Sequence, residues 1–181
     1  MTRDEAVALV RENCRNKNLF KHMLATEAVM AGLAERLGED VESWALAGLV
    51  HDLDYDQTAD DPERHGLVSA EKLEALEYPP DIVHAVKAHN EHAPRESPMD
   101  TALYASDPVT GLIVAAALMH PSKTLAGLDT DFVIRRFNEK RFAAGADRDQ
   151  IRSCSELGLD LEEFLGIAIE SMQGISGDLG L

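Results

Sequence analysis

The sequence predicts an all-α single domain, and three observations carry that reading. Apolar residues recur at helical spacing along most of the chain. Helix-boundary signals bracket those stretches, including Thr2 followed by Glu5 and Gly38 just after Leu37. There is no run of alternating apolar residues joined by Gly-Asn or Asn-Gly turns, and no βαβ succession.

The elements follow in order. Thr2 with Glu5 is a capping-box pattern opening a short helix through about Val10. A long helix is expected from Asn18 to Leu37, ended by Gly38, and a third from about Val41 to Leu53, carrying Trp44, Leu46, Leu49 and Val50. The acidic stretch from Asp54 to Arg64 holds Pro62 and reads as a solvated loop. His65 to Glu77 reads as helix, stopped by Tyr78-Pro79-Pro80. A short helix runs from Asp81 to about Asn90, followed by a loop from Glu91 to Pro98. Met99 to Met119 is strongly apolar and reads as a buried central helix, with Pro108 removing one backbone bond. Three amphipathic helices are expected beyond Pro121: Asp131 to Phe142, Arg148 to Leu157 and Leu161 to Gln173.

The chain has 181 residues, enough for one domain (1–181) with its own core. It is 45% hydrophobic but only 5% aromatic, so that core must be built from Leu, Ala, Val and Ile. Seventeen basic and 33 acidic residues give a net charge of -16. This argues against a nucleic-acid polymer as the main ligand, because polymer binding rests on neutralising phosphates with Lys and Arg. A small phosphorylated ligand stays compatible, since bound metal ions reverse the local field. The N-terminus lacks a signal-peptide layout, and the run Gly111–Met119 is short of the ~20 residues of a membrane span. Cys14 and Cys154 are isolated. A cytoplasmic protein without a membrane partner is the expectation.

Chemistry-bearing residues recur at wide spacing: His22, His51-Asp52, His65, His89 and Asp107. Imidazole and carboxylate are ligands of divalent first-row metals, and only a folded helical bundle brings such distant residues together. Asp107 stands in a very apolar helix, where an unpaired carboxylate would be costly and a metal would remove the cost. Taken singly, His22 reads as a core or boundary histidine, and His51-Asp52 as a part-buried histidine beside a solvated aspartate. The ordered set changes that balance.

The series His…His-Asp…His…His…Asp, with the segment Tyr104-Ala-Ser-Asp-Pro-Val-Thr-Gly-Leu112 around its last member, resembles the HD-domain superfamily of metal-dependent phosphohydrolases. The resemblance covers about residues 18–120, leaving 121–181 as extra C-terminal helices on an HD-domain-like bundle. It implies that His22, His51, Asp52 and Asp107 hold a first metal, and that Asp52 bridges to a second held by His65 and His89. The cofactor would be one or two divalent ions of Mn, Fe, Co, Ni or Zn. Asp52 would orient the attacking water or accept its proton.

Two departures stand out. Asn90 replaces a histidine that many two-metal members carry directly after the position of His89; His92 can substitute if the helix continues. Tyr55 stands where some single-metal members carry a catalytic glutamate. The implied activity is hydrolysis of a nucleotide or other small phosphoester. A two-iron oxygenase and a non-catalytic metal-stabilised sensor are the alternatives.

Lys123, beyond the Asp107 helix, is the candidate substrate contact in a basic group with Arg135, Arg136, Lys140, Arg141 and Arg148, which otherwise reads as a solvated face. His84 reads as a surface residue, His120 as a helix cap and Glu91 as a loop carboxylate. The amphipathic segments Asp131–Phe142 and Leu161–Gln173 offer a homodimer surface.

Overall fold

A computed structural model describes residues 2–181. Among these residues the chain is helical, with no strand. The order is α1 (Arg3–Asn13), α2 (Lys17–Leu37), α3 (Val41–Val50), α4 (Tyr55–Thr58), α5 (Leu67–Ala75), α6 (Pro80–Ala88) and α7 (Pro98–Met119). A 3-10 turn (Leu125–Gly127) leads to α8 (Thr130–Phe137). Then come α9 (Arg148–Arg152), a second 3-10 turn (Ser153–Leu157), α10 (Leu161–Gly174) and α11 (Ser176–Leu179).

The boundary chemistry is where the sequence puts it. Thr2 and Glu5 form a reciprocal capping box on α1. Gly38 ends α2 in the left-handed conformation at φ 76, and the Glu39 N–H returns to the Ala34 carbonyl at 2.9 Å. Ser97 and Asp100 make a second capping box, with Pro98 in the first turn of α7.

Helix lengths differ from expectation where the chain turns toward the core. α3 stops at Val50, so His51 and Asp52 lie just past its last turn. The acidic loop contains the short α4. The helix expected from His65 begins at Leu67, after Gly66 at φ 83. α8 ends at Phe137, five residues early, so Arg136 and Lys140 are not neighbours on one helical face.

α2 is the spine, packed by α3, α7 and α10, while α7 also meets α6, α8, α9 and the second 3-10 turn. One continuous core includes Met23, Leu33, Leu49, Leu103, Ile113 and Phe164, all fully buried. Each such side chain contributes about 1.5–3 kcal/mol relative to exposure. α7 has the length and apolarity of a membrane span, and its buried residues from Met99 to Ala117 account for that composition as core. α3 presses closely on the backbone of α2 at Gly48, where a Cβ would stand 2.7 Å from the Thr26 carbonyl oxygen. Arg3 fastens α1 to α2 through a two-pronged contact with Glu27. α10 buries Phe164, Leu165, Ala168, Ile169 and Met172 within the chain, packed against α2 and α8.

Candidate metal centre

Five separate segments deliver the six candidate side chains to one point. α2 supplies His22, the end of α3 supplies His51 and Asp52, and the turn before α5 supplies His65. The end of α6 supplies His89 and the middle of α7 supplies Asp107. The Nε2 of His22 lies 3.2 Å from that of His51, 3.0 Å from Asp107 Oδ1 and 3.6 Å from Asp52 Oδ2. The Nε2 of His65 lies 3.4 Å from that of His89 and 3.2 Å from Asp52 Oδ1, while His89 Nε2 is 3.6 Å from that same oxygen. Asp52 therefore stands between two sets of histidines. Two tight groups, His22-His51-Asp107 and His51-Asp52-His89, could each hold a metal ion.

The outer faces of the rings fix their tautomers. His51 Nδ1 is 2.8 Å from the Gly48 carbonyl, and His89 Nδ1 is 2.5 Å from the Val86 carbonyl, so each must carry the proton there. His65 Nδ1 meets Asp54 Oδ1 at 2.9 Å. His22 Nδ1 meets Thr110 Oγ1 at 2.9 Å, and the Thr110 hydroxyl donates to the Asp107 carbonyl, so it accepts from His22. With every Nδ1 donating outward, the neutral rings point four Nε2 lone pairs inward, as metal-ligating histidines do. Lone pairs facing one another at 3.2 and 3.4 Å repel unless a proton or cation lies among them. Asp52 Oδ1 is buried at the same point without a hydrogen-bond donor. The donor set and its orientation fit a divalent metal.

The metal-free electrostatics agree. Burial opposes charge on His51, but Asp52 and Asp107 outweigh it and push its pKa up to about 8. Burial likewise opposes charge on His65, and the carboxylates of Asp52 and Asp54, close to its two ring nitrogens, push its pKa up to about 10. Desolvation would raise Asp52, yet the charge of His51 and contacts from His65 and His89 hold it well below the usual carboxylate range. Asp107 is lowered in the same way, against its burial, by His22 and His51.

Residues with no place in the sequence reading of the site complete it. Asp54 is not part of a solvated loop. It is fully buried, accepts the Gly66 and Ser69 N–H groups at 2.9 Å each, and orients His65. Thr110 orients His22 and Gly48 orients His51. The available signals were Gly66 directly after His65 and the Asp-x-Asp pattern at Asp52-Leu53-Asp54. Gly66 is tightly enclosed, since a Cβ there would lie 3.2 Å from the Val86 carbonyl oxygen.

Other candidates fall elsewhere. Lys123 lies past the far end of α7; twelve residues separate Asp107 from Met119, about 18 Å of helix at 1.5 Å per residue. No contact joins Lys123 to the six metal-facing side chains, and the groups that border the centre's open side stand at the Asp107 end of α7. The helix does not continue past Ala88, so the condition for His92 to take a ligand position is not met. Asn90 instead donates to the carbonyls of Pro62 and His65 and ties down the loop bearing His65. Tyr55 sits edge-on to His65, with ring centres 5.3 Å apart. Glu91 accepts from the Tyr104 hydroxyl at 3.2 Å. His84 is not a free surface residue, because it pairs with buried Asp100 at 3.1 Å. His120 caps α7 and bonds Ser122. In the basic group, Arg136 pairs with Glu139, and Arg148 turns inward to donate to the carbonyls of Phe137, Phe142, Ala143 and Ala146.

The centre opens on one side. His22 and Asp107 side chains are 23% and 31% exposed, against 0% and 1% for His51 and His89. Beside them lies a cleft of about 300 Å³, continued by Pro108 and Gly111 on α7 and by Ala143, Gly145 and Ala146 opposite.

Fold and site together define a class of protein: an all-helical bundle whose core gathers imidazoles and carboxylates from successive helices into a centre suited to metal-assisted hydrolysis. A family model described as HD domain matches residues 19–118, more than half of the chain, and the chain belongs to the HD-domain family. Members of that family are typically metal-dependent hydrolases. Ribonuclease Y of Nitratidesulfovibrio vulgaris (strain DP4) is 30% identical over 98 residues, 53% of this chain and 18% of that protein. Ribonuclease Y of Geobacter sulfurreducens is 29% identical over 96 residues, again 53% and 18%. Ribonuclease Y of Lawsonia intracellularis is 27% identical over 103 residues, 56% and 20%. The match spans about a fifth of the length of these relatives. No solved structure matches the chain significantly.

Proposed function

We propose that this protein hydrolyses a small phosphoester, a nucleotide or a compound of similar size, with one or two divalent transition-metal ions. The observation that carries this reading is the convergence of four Nε2 lone pairs on Asp52, whose buried Oδ1 has no donor. In this reading His22, His51, Asp52 and Asp107 hold one ion, and Asp52 bridges to another held by His65 and His89. Mn, Fe, Co, Ni and Zn all suit such ligands. When bound, the metal supplies a water acidified toward hydroxide and positive charge against the phosphoryl oxygens.

The chain's own residues set the geometry. Asp52, facing both halves of the centre, orients the water and takes its proton. The water oxygen forms a bond to phosphorus as the bond to the leaving oxygen breaks, and that oxygen is protonated from solvent through the open side at His22 and Asp107. Thr110, Asp54 and the Gly48 and Val86 carbonyls keep the rings aimed.

The relatives' name, ribonuclease Y, raises RNA as a second substrate. The net charge of -16 favours a small ester over a polymer, which would need many basic phosphate contacts. The same ligands suit a two-iron oxygenase. Elemental analysis of protein purified without added metal or chelator, beside a His51→Ala, Asp52→Ala variant, tests the centre. About one or two ions per chain, lost in the variant, support it; no uptake on titration with all five ions overturns it. A phosphoester panel including short RNA then separates the hydrolytic readings, and oxygen consumption by an iron form would favour the oxygenase.

A further inference from the structure

Gly111 is explained by nothing in the fold. It lies one turn after Asp107, in the interior of α7, with an ordinary helical backbone. A Cβ there would meet no atom within 4 Å. The contrast with Gly48 is sharp, since a Cβ at that position would strike the backbone of α2. Glycine inside a helix is unfavourable relative to alanine, because it orders a freer chain and packs nothing. Neither backbone conformation nor close packing therefore asks for glycine at 111.

What Gly111 does is border the cleft beside His22 and Asp107. The opposite wall is held firmly at its distance. Arg148 grips it through the carbonyls of Phe137, Phe142, Ala143 and Ala146, and Ala143 is kept at φ 43, a left-handed conformation that a residue with a Cβ rarely takes. Gly145 in that wall also faces open space. The gap between α7 and this wall is thus kept open by missing side chains on both sides, next to the two exposed members of the metal centre.

We propose that Gly111 and Gly145 are specificity-determining residues, which leave room beside the phosphoryl position for a flat organic group, the base or nucleoside part of a nucleotide. This rests on the hydrolase reading above. The walls suit such a group: Pro108, Ala143 and Ala146 give apolar contact, and glycine peptide planes accept the face of a ring. The proposal excludes inorganic or very small phosphates as the preferred ligand.

The test is binding by manganese-loaded protein of two probes, inorganic phosphate and adenosine 5′-monophosphate, with metal content measured in every sample. The expected result is that wild type binds the nucleotide more tightly than phosphate. Gly111→Leu should weaken the nucleotide by roughly tenfold or more, the scale of a steric misfit in an apolar site, while phosphate affinity and metal content stay as in wild type. Gly145→Leu, on the opposite wall and off the helix, should do the same. Unchanged nucleotide binding in both variants overturns the inference, and so does a parallel loss for both probes, because the side chain would then be acting on the centre. Wild type that holds manganese yet binds neither probe would instead strike the hydrolase reading itself, a failure visible without any variant.

Discussion

The Nδ1 of His51 lies 2.8 Å from the carbonyl oxygen of Gly48, and the same glycine packs against the α2 backbone so closely that a Cβ would stand 2.7 Å from the Thr26 carbonyl oxygen. One residue thus sets both a helix crossing and the aim of a metal-facing ring. His22 sits on the other helix of that crossing, so the distance between the two Nε2 atoms depends on how closely α2 and α3 approach.

Gly48→Ala should therefore damage stability and metal binding together. The added methyl stands 2.7 Å from the Thr26 carbonyl oxygen, which is backbone and cannot swing aside. Overpacking of this kind costs about 1–3 kcal/mol. Urea unfolding and metal titration of the variant check it; a variant with wild-type stability would mean that the two helices separate freely.

Asp54→Asn removes the carboxylate that orients His65 and accepts two backbone N–H groups. Loss of such an outer partner typically costs about 10–100-fold in metal affinity or activity. The loss should fall on the ion nearest His65 and His89, leaving one ion per chain in a competition titration against a chromophoric chelator. Two ions held at wild-type affinity would count against the role given to Asp54.

The pH dependence should differ in sign between metal-free and metal-loaded protein. His51 and His65 have pKa values raised from 6.5 to about 8 and about 10. A raised histidine stabilises the fold fully below its unfolded value, and that contribution is lost as pH rises through the folded one. Metal-free protein should therefore melt lower at pH 9 than at pH 6.5. Metal needs neutral rings, so its affinity should rise with pH through about 8 and on toward 10, where His51 and His65 lose their protons in the metal-free protein, with protons released on binding. Melting curves with and without chelator, and calorimetry in two buffers of different ionisation enthalpy, measure both; a common pH trend for the two forms would refute this.

Arg148→Met should loosen the cleft wall without touching the centre. Four carbonyls lose the guanidinium, although that of Ala143 keeps the Ala146 N–H, and the turn holding Ala143 at φ 43 loses its cross-ties. Amide exchange in residues 138–147 should accelerate, with metal content unchanged. Protection equal to wild type would show that the wall is held by other contacts.

Gly111→Ala separates stability from ligand room. A methyl in open space on an interior helical position should stabilise by about 0.4–1 kcal/mol. A rise in melting temperature supports the view that glycine is not there for the fold.

The sequence by itself determined the helical architecture, because periodicity, capping residues and helix breakers are local. The Thr2 box, the Gly38 stop and the apolar run after Pro98 act within a turn or two of where they are written. It also marked His22, His51, Asp52, His65, His89 and Asp107, because imidazoles and carboxylates in apolar helices need a reason. The tertiary structure alone decided what surrounds them. Asp54 looked like one of several loop acids until the fold buried it under His65, and Arg148 looked like a surface charge until it turned onto four carbonyls. A helix fixes its own ends through neighbours in sequence, whereas a site is fixed by which helix faces meet, and that is settled only when α2, α3, α6 and α7 pack.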